Sequence, residues 1–142
     1  MLEAKRVASG TYGELWWDGE KIAECYKFEA KYTKNKEDVA MCGQFITDSK
    51  VTSAKGTGTI GIYHVYSRWA SYADAVQQGK DERTTFIGKL DDPDGYGAER
   101  VAVYGVSFDE VPLTSFEAGQ IIKQEVPFTF TGHKFLEKAS VS

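Results

Sequence analysis

Cysteine, histidine and proline are scarce in this 142-residue chain, at two, two and three residues. Cys25 and Cys42 lie outside any C-x-x-C spacing. No disulfide framework is implied, and free thiols in a reducing compartment are expected. No apolar run approaches the roughly 18 residues of a membrane span, and Met1-Leu2-Glu3-Ala4-Lys5-Arg6 has no apolar stretch behind its charges. A protein made in the cytoplasm, without a membrane anchor, is expected. Basic clusters are missing as well. Lys and Arg number 17 against 21 Asp and Glu, and the whole net charge of −4 resides in residues 57–142. Tight nucleic-acid binding needs clustered cations that displace counterions, so contact with DNA should be weak. What is present, 42% hydrophobic and 27% charged residues, describes one domain over 1–142 with an ordinary core.

The local punctuation reads as β. Tyr12 to Trp17, then Asp18-Gly19, then Lys21 to Tyr32 reads as two strands around a tight turn, because Asp-Gly accepts the positive φ angles such turns need. In the second strand Tyr26, Phe28, Ala30 and Tyr32 alternate with Lys27, Glu29 and Lys31, giving one core face and one wet face. Residues 33–50 lack periodicity at first and read as a long loop excursion, a length that usually has a function. A strand follows from about Gly56 to Tyr66. Ser67 then caps a helix carrying Trp69, Tyr72, Ala73 and Val76, closed near Gly79. Strands are expected at Thr84 to Leu90, Glu99 to Phe108 and Gly119 to Thr131, with a turn-rich loop from Asp91 to Gly97 and Pro127 marking an edge or bulge. One helix cannot cover both faces of six or seven strands. The sheet must therefore curl into a barrel or pack as a sandwich, with the helix at one side or end.

Motifs for chemistry are weak. Gly56-Thr57-Gly58-Thr59-Ile60-Gly61 matches G-x-G-x-x-G, but the chain continues as strand rather than turning into a helix, so no dinucleotide cofactor is expected. Asp91, Asp92, Asp94 and Glu99 lack the alternating ligands of a calcium loop, so no metal is expected either. His64 with Cys25 or Cys42 forms no recognisable nucleophile pattern, and Glu24 and Glu29 suit a water-facing strand. No catalytic residue is assigned. The aromatics are abundant, with 8 Tyr, 8 Phe and 3 Trp. Trp16 and Trp17 are adjacent on one strand, so one of them faces away from the core, and outward aromatics favour subunit contacts.

Four blocks carry a resemblance across most of the chain. They are Ser9-Gly10-Thr11-Tyr12-Gly13-Glu14-Leu15-Trp16 running through Asp18-Gly19 to Lys31, Lys55 to Ile60 followed by Tyr63-His64-Val65 and Ser67-Arg68, Asp91-Asp92-Pro93-Asp94 to Arg100, and Pro127-Phe128-Thr129-Phe130-Thr131. In order and spacing the chain resembles the tail tube proteins of contractile phages and phage-derived particles, of the type found in a defective Bacillus prophage and in clostridial tailocins. The resemblance implies a β-barrel or sandwich with a flanking helix. It also implies hexameric rings stacked into a hollow tube for DNA passage or membrane puncture, with sheath, baseplate and terminator proteins as partners and DNA only in transit. Candidate subunit contacts are Trp16, Trp17, Lys34, Lys36, Glu37, Asp38 and Phe45, with the excursion ordered on assembly. Candidate lumen-lining residues are Lys27, Glu29 and Lys31 on one strand and Lys123, Glu125 and Thr129 on another. Two alternatives are a type VI secretion-like tube component and a monomeric β-barrel carrying a small apolar ligand.

Overall fold

The structure, a computed structural model, describes residues 1–141. Eight strands and one helix follow two short 3-10 turns, Ala4–Arg6 and Gly10–Tyr12. The strands are β1 (Gly13–Trp17), β2 (Glu20–Lys21), β3 (Cys25–Val39), β4 (Asp48–Tyr63), β5 (Thr84–Leu90), β6 (Glu99–Phe108), β7 (Lys123–Phe130) and β8 (Gly132–Glu137), and the helix α1 is Ala70–Gln77. All pairings are antiparallel, in the order β2-β1-β5-β6-β7-β4-β3, with β8 also on β6. Strand β6 belongs to both halves. Its first half pairs with β5 and β8, and its end pairs with β7. The bend falls at Gly105, whose φ is 64° and whose missing Cβ makes room for Thr131. There β5 meets an extra residue of β6, the bulge by which a sheet turns a corner.

Folding the sheet over brings β1, β5 and β6 against β3, β4 and β7. Between them lie Leu15, Ile60, Ile62, Phe86, Val103, Val106, Val126 and Phe128, each at most 2% exposed. Trp17 sits in a ring of aromatics, with centroids 5.1 to 5.7 Å from Trp69, Phe86, Phe108 and Tyr72, and donates its indole N–H to the Tyr72 hydroxyl at 3.0 Å. Phe28, Phe86 and Phe128 continue the stack. Side chains of both halves pack together in this interior.

Several expectations change. The expected strand from Lys21 to Tyr32 is two strands, because the chain turns at Ala23-Glu24 and leaves β1 for β4. A register shift between Cys25 and Lys27 also moves Tyr26 off the core face, and its ring covers Gly61 on the opposite surface. The helix starts at Ala70 without the Ser67 cap, its N-cap residue being Trp69; Tyr72 is buried but Val76 faces water. Gly79, at φ 69°, follows its end as expected. The last expected strand begins only at Lys123, and an unforeseen β8 follows. Pro127 lies in β7 next to the point where pairing with β6 stops, so its flank behaves as an edge.

The excursion is the largest correction. Instead of an irregular segment, residues 33–39 and 48–55 form a paired two-stranded arm, from Thr33↔Lys55 to Val39↔Asp48, with a turn between. Both faces of the arm meet solvent, so the apolar alternation that reveals a half-buried strand is absent.

The glycines of the G-x-G-x-x-G stretch have a packing role. Phe130 covers Gly56, and a Cβ on Gly58 would lie 2.2 Å from the Glu29 carbonyl oxygen and 2.4 Å from the Phe128 ring. Gly58→Ala should cost about 1–3 kcal/mol through overpacking. Gly132→Ala, which meets open space, should cost far less. Urea unfolding of the two variants checks this, and equal midpoints would contradict the close approach.

Candidate subunit-contact surfaces

Several of the residues considered for chemistry make structural bonds, while Cys42 is an exposed thiol in the turn of the arm. Asp92 is buried, and its two carboxylate oxygens accept the backbone N–H groups of Ser9 and Asp94, which clasps the N-terminal segment to the acidic loop. Arg6 reinforces the clasp by donating to the Asp94 carbonyl and lying over the Tyr96 ring. The Cys25 thiol donates to the Lys27 carbonyl, and burial pushes its pKa up, away from thiolate chemistry. His64 contacts Gln124 rather than a cysteine. Glu24 pairs with Arg68 in a largely buried ion pair, while Glu29 pairs with Lys31 on the surface at 3.3 Å. Among the described residues, no group of three or more His, Cys, Asp or Glu is placed to hold a metal ion.

A polar sheet face is the first surface that could serve contact. Register aligns Lys27, Gly61 and Glu125 in one row, Glu29, Thr59 and Pro127 in the next, and Lys31, Thr57, Thr129 and Ser107 in a third. Successive residues of a strand alternate faces, and the intervening Ile60, Val126 and Phe128 are core. Five of the six lumen candidates therefore share one face of one sheet. Lys123 adjoins them beside Tyr63, and its ammonium lies 5.6 Å from the Tyr26 ring and 5.9 Å from the Tyr63 ring. Sequence reasoning missed both tyrosines, since Tyr26 reaches this face only through the bulge.

Tyr26 offers a readout of this face. Its hydroxyl, ordinarily at 10.0, is pushed up to about 12 by burial and then by the hydrogen bond it donates to Glu125 at 3.1 Å. The folded value exceeds the unfolded one, so the bond's stabilisation is complete below pH 10 and is lost as pH rises toward 12. A tyrosinate absorbance titration should show Tyr26 ionising late, and Tyr26→Phe should remove one late group from the curve. An unchanged late phase would contradict the bond.

The two tryptophans separate. Trp17 is 6% exposed and belongs to the core, so of the pair only Trp16 remains available for contact. Trp16 lies on the outer surface between the Lys21 ammonium at 6.0 Å and the Arg100 guanidinium at 5.6 Å. Arg100 Nε is buried there without a hydrogen-bond partner. On the arm, Lys34, Lys36, Glu37 and Asp38 are exposed strand residues and Phe45 is in the turn, fully exposed with Ile46 beside it. The reasoning also missed an apolar loop before β7, where Leu113, Phe116 and Ile121 face solvent.

Unpaired backbone is the second feature. Among the described residues, β3 pairs only with β4, leaving one side free along all 15 residues. On β7 only Phe128 and Thr129 pair with β6. Strands β1 and β3 come near each other without pairing, so the sheet stays open.

The sequence model of the family described as phage tail tube protein matches residues 1–137. The chain belongs to that family. This tail tube protein is also 39% identical over 142 residues to XkdM, a protein of the phage-like element PBSX of Bacillus subtilis (strain 168), covering 98% of this chain and 97% of XkdM. Its fold is similar to a chain of the anti-feeding prophage cap, a tube-terminating cap, at TM-score 0.74 and 10% identity, covering 97% and 96% of the two chains. A chain of the sheath-tube complex of the extracellular contractile injection system PVC superposes at TM-score 0.69 and 12% identity, covering 92% and 90%. The tail tube protein is thus a structural phage tail component and not an enzyme. Among its described residues, no helix is long and apolar enough to cross a membrane.

Proposed function

We propose that this tail tube protein forms hexameric rings that stack into a hollow tube of a contractile phage tail or phage-like particle. The observation that carries the reading is the open sheet. A free strand side of 15 residues presents unsatisfied N–H and C=O groups, which another copy can satisfy by adding its own strand edge. The available complement is the flank of β7 beyond its short pairing with β6. Edge-to-flank contact is heterologous, and it closes into a ring when the rotation between copies permits. The lysines at 27, 31, 34 and 36 keep the free edge from pairing indiscriminately before assembly.

In the ring, the β3-β4-β7 face lines the lumen. Over β3, β7 and the adjoining part of β4 it carries Lys27, Lys31, Lys55 and Lys123 against Glu29 and Glu125, interspersed with threonines. Mixed charge of this kind lets DNA pass without gripping it. Trp16 and the arm take subunit contacts. Sheath, baseplate and terminator proteins are the expected partners, and synthesis in the host cytoplasm precedes incorporation into the particle. Sedimentation velocity tests the reading: species of at least six copies at micromolar concentration support it, and a monomer at every concentration contradicts it.

A further inference from the structure

We propose that the apolar tip of the arm of one copy seats in a groove at the opposite end of the next copy, between α1 and the loop of residues 109–122. The inference rests on the assembly reading above and names the receiving surface.

The geometry is head-to-tail. Strand β4 begins at the arm with Asp48 and ends at Tyr63, and the chain then enters the groove through His64 and Tyr66. Trp69 and Ala73 form one side, Leu113 and Pro112 the other, around a cavity of about 140 Å³. Sixteen strand residues at about 3.3 Å each put roughly 50 Å between the two ends. The arm cannot reach its own groove. A tip at one end and a receptor at the other generate a repeating heterologous contact along the strand direction.

Chemistry matches at two levels. Residues 39–47, the turn and its approach, contain no charged residue. Phe45 is 102% exposed and Ile46 84%. The groove's outer wall offers Leu113 at 82%, and Phe116, three residues further along the same loop, is 84% exposed. Below the tip, residues 31–55 carry five lysines against Glu37, Asp38 and Asp48. The 109–122 loop carries Asp109, Glu110 and Glu117 and no cation. A basic shaft with an apolar end thus faces an acidic loop with an apolar wall, a pairing that favours a second copy over an unrelated partner. A two-stranded arm is marginal alone in water, and such docking would hold it.

Native Cys42, exposed in the tip, supplies the test. Full-length Leu113→Cys protein, assembled and treated with a short bismaleimide, should give a ladder of dimers, trimers and longer chains on a denaturing gel. The ladder should vanish when Cys42→Ser is added, and a Thr11→Cys control should give none. Rods that form normally without the ladder overturn the docking and leave the assembly reading standing. Protein that stays monomeric overturns both. As a second measurement, Phe45→Asp should shorten rods at least tenfold while single rings persist, and full-length rods from that variant would contradict the proposal.

Discussion

Trp17→Ala should lower the thermal unfolding midpoint by about 10–15 °C. Truncating a buried Trp costs about 3–5 kcal/mol, and for a chain of this size each kcal/mol shifts the midpoint by about 3 °C. The magnitude follows from position. Trp17 touches the helix through Trp69 and Tyr72, the β5 strand through Phe86 and the end of β6 through Phe108, so its loss opens a void where β1, β5, β6 and the helix meet. It also removes the indole N–H that donates to the buried Tyr72 hydroxyl. Trp16→Ala provides the contrast. The Trp16 ring lies outside the core against Lys21 and Arg100, and its removal should cost about 1 kcal/mol in folding, from partial burial and one or two weak cation contacts. Its effect should appear in sedimentation, as loss of the large species. Differential scanning calorimetry with sedimentation on both variants checks the pair. Equal midpoint shifts would contradict the division into a core and a surface tryptophan.

Excising the arm should have the opposite profile. Lys34 pairs directly with Ala54, so replacing residues 35–53 by Asn-Gly leaves a two-residue hairpin in the existing register. The segment removed contributes no residue to the core cluster, and its side chains are exposed throughout. The unfolding midpoint should stay within about 3 °C of the parent, since surface changes away from packing are worth at most about 0.5 kcal/mol. Rods should disappear from electron micrographs. Normal rods from the excised chain would show that the arm has no part in stacking, and a collapsed midpoint would show that it supports the fold.

The contrast between core and arm also explains what the sequence made readable. Alternation in Val126, Phe128 and Phe130, or in Leu15 and Trp17, is legible because one face of each strand is buried. The arm carries no such signal, so a regular hairpin reads as a loop until its register is seen. The turn at Ala23-Glu24 has no Gly or Pro to mark it, and the bulge that carries Tyr26 to the polar face follows from pairing with β4, a long-range condition. Strand β8 is hidden because its side chains are almost all exposed, so no apolar alternation marks it; only Thr131 separates it from β7, and the two strands pair with different parts of β6. Polar residues of two strands, Lys27 with Glu29 and Lys123 with Glu125, could be grouped by alternation within each strand. Only the β4 register brings them onto one face.

Amide hydrogen exchange, followed residue by residue on the dispersed and the assembled protein, tests the central claim most directly. Backbone N–H groups on the free side of β3 between Cys25 and Tyr32 are open to water in one copy, and assembly through the sheet edge must cover them. The account predicts that these amides slow by at least a hundredfold on assembly, while those already bonded to β4 change little. Assembled particles in which the free side of β3 exchanges as fast as in the monomer would contradict it.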